Sequence, residues 1–76
     1  MNNKQMERLK RLDDWIAKRG TGTPDELARR MGISKSTLME DLALMKRYGA
    51  TIKYDKDRGS YCYETEGRFE IGFIKR

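Results

Sequence analysis

Histidine is absent from this 76-residue chain, and cysteine and proline each occur once. Without histidine the chain lacks the commonest general base and the commonest metal ligand. A lone thiol, Cys62, excludes an internal disulfide and fits a reducing cytoplasm. With a tyrosine on either side of it, Cys62 reads as a small packing residue and not as a nucleophile. Long apolar runs are missing as well: nothing approaches the roughly 20 residues that span a bilayer, and the N-terminal MNNKQMERLK is too polar for a secretory signal. Nor is there a glycine-rich phosphate loop or a nucleophile–base pair. Asp13 and Asp14 are adjacent, but neighbours on a helix point about 100° apart and cannot share an acid–base site. Together these absences leave no basis for an enzyme, and no cofactor, metal site or membrane association is expected.

What the chain has in quantity is charge. Lysine and arginine number 17 against 12 acidic residues, a net charge of +5, and charged residues make up 38% of the sequence, which favours an anionic partner. The excess is uneven: residues 1–20 carry +3, while residues 21–50 and 51–76 carry +1 each. The length allows one domain, residues 1–76, and a chain of this size buries only about 60% of the surface it exposes when unfolded.

Met6, Leu9, Leu12 and Ile16 recur at intervals of three and four, which predicts a first helix over residues 3–19, stopped by Gly20-Thr21-Gly22. Thr23-Pro24-Asp25-Glu26 is a strong helix start, with Thr23 as N-cap, Pro24 in the first turn and Glu26 closing a capping box. The second helix is expected over 24–31. Gly32 stands where a left-handed residue ends it, Ile33 plugs the turn, and Ser34 caps a third helix over 35–48 with Leu38, Leu42 and Met45 inward. Two helices joined so tightly form a helix-turn-helix. Beyond Gly49 the period drops to two, which predicts strands over 51–55 and 60–65 around a Lys56-Asp57-Arg58-Gly59 turn. After Glu66-Gly67, a third strand is expected over 68–74. Tyr61 and Tyr63 read as packing residues ahead of base stacking, and Trp15 as core margin.

The run Leu27-Ala28-Arg29-Arg30-Met31-Gly32-Ile33-Ser34-Lys35-Ser36-Thr37-Leu38 resembles the DNA-binding module of DeoR-type and WYL-type bacterial regulators. So do Asp41-Leu42, Met45, Tyr48, Gly49, Ala50, Ile52 and the stretch from Tyr54 through Asp55-Lys56-Asp57-Arg58-Gly59-Ser60 to Tyr61. The resemblance extends over residues 6–63. It implies an α+β fold, a three-helix winged helix-turn-helix with an antiparallel hairpin wing, and sequence-specific binding of double-stranded DNA in transcription regulation. Two features depart from those families. Glu40 stands where they usually carry a basic residue, and no small-molecule sensor domain is visible in these residues, so none is expected.

With Leu38, Leu42 and Met45 inward at roughly 100° per residue, Ser36, Glu40, Ala43 and Arg47 face outward, flanked by Thr37, Met39 and Lys46. A recognition helix reads base edges mainly through its N-terminal residues. The candidate DNA contacts are therefore Lys35, Ser36, Thr37, Met39, Glu40 and Arg47 on the third helix, with Lys35 directed at a phosphate. Lys53, Lys56 and Arg58 on the wing are the candidates for the backbone or minor groove. Ser34 is structural. One module contacts few base pairs, so a weak homodimer through helix one or the edge of the third strand is expected. The alternative reading is a winged-helix protein-interaction module that docks a partner on the Phe69-Ile71-Phe73 row.

Overall fold

The computed structural model describes residues 2–69 and 73–75. It is a mixed α+β arrangement. Three helices, α1 (Asn3–Ala17), α2 (Pro24–Met31) and α3 (Lys35–Arg47), precede four short strands, β1 (Ile52–Asp55), β2 (Ser60–Tyr63), β3 (Gly67–Phe69) and β4 (Phe73–Lys75). β1 and β2 pair antiparallel with Ile52 opposite Tyr63 and Asp55 opposite Ser60, and β3 pairs antiparallel with β4. Among the described residues no helix is long and apolar enough to cross a membrane.

α1 buries Leu9, Leu12 and Ile16, α2 buries Leu27, Ala28 and Met31, and α3 buries Leu38, Leu42 and Met45, so the three stripes meet in one core. Ala50, Ile52, Tyr61, Tyr63 and Phe69 close it from the strand side. Met6, expected in the first stripe, is half-buried at the end of α1. Trp15 packs at the margin, with the Arg30 guanidinium 5.3 Å from its ring centroid. All four β2 residues are buried, including Cys62. A strand that alternates faces yet shows none to solvent is covered on both sides.

Several ends differ from the sequence-based expectation. α1 stops at Ala17, not at residue 19, because Arg19 takes the left-handed conformation (φ 56°) and its N–H donates to the Ile16 carbonyl at 3.0 Å. Glycine does this without steric cost, whereas a side chain there costs about 1–2 kcal/mol. Arg19→Gly should therefore raise stability by about 1 kcal/mol in urea denaturation; a loss would mean that the arginine side chain is itself needed at this turn. α3 ends at Arg47 and not at 48, with Tyr48 as its cap and Gly49 following at φ 102°. β1 and β2 are shorter than 51–55 and 60–65. At their open end one backbone bond still follows the ladder register, the Thr51 carbonyl accepting from the Glu64 N–H (2.8 Å), and the Thr65 N–H then turns to a side chain, donating to the Thr51 hydroxyl oxygen (2.9 Å). The third strand covers 67–69 rather than 68–74 and pairs with a fourth; residues 70–72 lie outside the described residues. Phe69 is turned inward, 4% exposed, with its ring edge-on to Tyr48. The first member of the Phe69-Ile71-Phe73 row is thus core. Ile71 and the Phe73 side chain lie outside the described residues.

Candidate nucleic-acid interface

The α2–α3 pair is set by short-range hydrogen bonds that the local residue types dictate. The Thr23 hydroxyl accepts from the Glu26 N–H (3.2 Å) while the Glu26 carboxylate accepts from the Thr23 N–H (3.0 Å), the reciprocal capping box. Those bonds to Thr23 hold the Glu26 carboxyl below its ordinary pKa. At the other end of α2, Gly32 adopts φ 69°, its N–H donating to Arg29 and that of Ile33 to Ala28. This left-handed turn brings the chain directly to Ser34, whose hydroxyl oxygen accepts from the Thr37 N–H at 3.1 Å and starts α3. The Lys35 and Ser36 amides in the first turn have no carbonyl one turn back to bond, so they are left for water or an anion.

The site residues read from the sequence fall into two groups. On α3, Lys35, Ser36, Glu40 and Arg47 are exposed, and Met39, at 38% exposure, is one of two large apolar side chains open to solvent among the described residues. Lys35 leans back toward α2, 3.5 Å from Asp25, with both side chains well exposed. An exposed pair of this kind is worth little and gives way readily to a phosphate. Thr37 is half-buried, and its hydroxyl oxygen accepts from that of Ser34 at 3.0 Å, so it serves the cap before it serves any partner. The second group is the hairpin, where Lys53, Lys56 and Arg58 are all exposed. Their turn is organised by Asp55. Its carboxylate accepts from the N–H groups of Asp57 (3.0 Å) and Arg58 (3.3 Å), its carbonyl accepts from Gly59 (2.8 Å), and Gly59 supplies the positive φ of 64°.

Three polar linkages behind these surfaces went unrecognised in the sequence. The first is Asp41, 1% exposed, gripped by Arg8 through Nε (2.7 Å) and Nη2 (3.1 Å) and touched by Gln5 at 3.4 Å. The hydrogen bond to Asp41 raises the Arg8 pKa, desolvation opposes it, and the charges of Asp41 and Glu40 add to the rise. Glu40 therefore stands close enough to Arg8 for its charge to be felt there. An acid at the edge of an apolar helical stripe was the available signal. The second is a clasp between Thr21 and Ser60. The Thr21 N–H donates to the Ser60 hydroxyl oxygen (3.0 Å) and the Tyr61 N–H to the Thr21 hydroxyl oxygen (2.8 Å), both buried. In the third, Asp13 accepts from the Tyr63 hydroxyl (2.7 Å) and the Phe69 N–H (3.0 Å). Burial, then the Asp13 bond, pushes the Tyr63 phenol well above its ordinary pKa.

Among the described residues no cluster of His, Cys, Asp and Glu could hold a metal ion. No family model, curated protein or solved structure matches the chain.

Proposed function

We propose that this chain is a winged helix-turn-helix protein that binds double-stranded DNA sequence-selectively, as a small transcriptional regulator or accessory factor in the cytoplasm. α3 enters the major groove, and the β1–β2 hairpin is the wing that lies on the backbone or in the minor groove. The observation that carries this reading is the capped turn at Gly32-Ile33-Ser34, which holds α2 against α3 while leaving Ser36, Met39, Glu40 and Arg47 open to a partner. Ser36 and Arg47 supply donors for base edges or phosphates. Glu40 accepts from cytosine N4 but repels guanine O6 and N7, so it acts as a filter and not as an anchor. Lys53, Lys56 and Arg58 hold phosphates.

The test is a salt titration of binding to a random-sequence duplex. A steep inverse dependence is expected, and Arg58→Ala should lower the slope of log K against log salt by about 0.9 on every duplex alike. The Asp55 turn uses backbone groups of residue 58, not its side chain, so the fold should be untouched. A parent chain that binds no duplex at 50 mM salt would sink the reading.

A further inference from the structure

The elements assigned to DNA are poorly supplied with charge. Residues 35–47 and residues 52–63 each sum to +1, whereas residues 1–20 hold +3. On α1 and its C-cap, Lys4, Arg11 and Lys18 are spaced seven apart, so they follow one line along the helix with a drift of only about 20° per step. All three are exposed, and the ion pairs among the described residues, Arg8 with Asp41 and Lys35 with Asp25, involve none of them. By the helical repeat of roughly 100° this line runs beside Arg8, the residue that faces Asp41 on α3, and away from Asp13, which faces the strands. Arg30 of α2 reaches the same flank, lying over Trp15 and donating to the Gly20 (2.8 Å) and Thr21 (3.2 Å) carbonyls. An open hollow of about 300 Å³ lies there, lined by Arg11, Trp15, Lys18 and one carboxylate, Asp14.

We propose that this flank of α1 is a second phosphate-binding surface, on which Lys4, Arg11 and Lys18 hold the DNA backbone beside the stretch read by α3. The inference rests on the DNA-binding reading above. The row is about 21 Å long at 1.5 Å per residue, and each strand of the duplex places one phosphate per roughly 3.4 Å of duplex axis, so the three side chains are far enough apart to meet separate phosphates. Its position fits, because Arg30 ties the flank to α2, and α2 is the first helix of the α2–α3 pair, the one that crosses the backbone in a helix-turn-helix. Lysine and arginine on flexible stems neutralise phosphates without reading bases, so the surface contributes affinity and register but no sequence preference.

The experiment measures binding of the full chain to a random-sequence 25-base-pair duplex by fluorescence anisotropy between 50 and 200 mM salt. The triple variant Lys4→Gln, Arg11→Gln, Lys18→Gln should bind at least tenfold more weakly at 50 mM salt, with a salt slope shallower by about 2 to 3. A matched pair separates local contact from overall charge. Arg11→Gln should lower the slope by about 0.9, while Lys10→Gln, one residue away on the opposite flank of α1, should leave it unchanged. Circular dichroism checks the fold of each, and the matched pair decides the matter if the triple variant is unfolded. A parent that binds steeply while the triple variant keeps its slope overturns this inference and leaves the DNA-binding reading standing. Equal effects of Lys10→Gln and Arg11→Gln overturn it too. A parent that binds no duplex overturns both.

Discussion

Replacing Asp41 by alanine is expected to remove about 3 kcal/mol of folding stability, the low end of what breaking a buried ion pair costs. The loss comes less from the attraction forgone than from what is left behind. With the 1%-exposed Asp41 side chain gone, the Arg8 side chain, 26% exposed, stays against the α1–α3 contact without the acceptor that satisfied two of its N–H groups. That residual exposure lets Arg8 reach water, which keeps the figure from rising further. For a domain of this size, whose whole stability is on the order of 4–11 kcal/mol, the change should lower the melting temperature by about 12–24 °C. Urea denaturation with an unchanged slope is the measurement, and a loss below about 1 kcal/mol would show that Arg8 and Asp41 are not coupled. The double variant Arg8→Leu, Asp41→Leu should recover more than half of the loss, because it leaves no orphaned charge.

Thr21→Val is expected to cost about 2 kcal/mol, although valine nearly matches threonine in volume and the position is completely buried. The Tyr61 N–H would lose its acceptor at 2.8 Å, and water has no access to replace it. Thr21→Ser keeps the hydroxyl, deletes one buried methyl and should cost about 1 kcal/mol. The order of the two variants, valine worse than serine, separates a polar clasp from a packing contact; serine worse than valine would reverse the assignment. Amide hydrogen exchange adds a local readout, since Tyr61 should lose protection in the valine variant before its strand neighbours do.

The elements legible in the sequence were those encoded by adjacent residues. The capping box at Thr23 and Glu26, the left-handed Gly32, the Ser34 cap and the 3.6-residue stripes of all three helices need only their own few residues. The end of α1 was misread because Gly20 advertised a stop that the chain executes one residue earlier with Arg19, a side chain ill suited to that conformation. Of the candidate site, what was legible is the face: the Leu38, Leu42 and Met45 stripe fixes which residues of α3 point outward, although Thr37 is half-buried in the cap. What escaped were the partners across distance. Nothing near Asp41 announces Arg8, nothing near Thr21 announces Ser60, and the strand alternation that placed Tyr63 inward could not supply the Asp13 carboxylate its hydroxyl needs.

Those three unannounced linkages have a common feature in the separations they bridge: 33 residues from Arg8 to Asp41, 39 from Thr21 to Ser60, and 50 and 56 from Asp13 to Tyr63 and Phe69. Each begins on α1 or the loop that follows it and ends in a later element: Arg8 reaches α3, Thr21 reaches β2, and Asp13 reaches both β2 and β3. The first 21 residues therefore act as a spine to which the rest of the chain is pinned by polar groups as well as by Leu9, Leu12 and Ile16. Each pin closes a long loop, whose entropy must be lost before the contact repays it, so none of them is secure until most of the chain is in place. The consequence is indivisibility. An α2–α3 fragment cut from the spine would leave Asp41 without Arg8 and the Leu27, Leu38 and Leu42 side chains without the α1 stripe they pack against, so it is expected not to fold alone, and the whole chain is expected to unfold in one cooperative step.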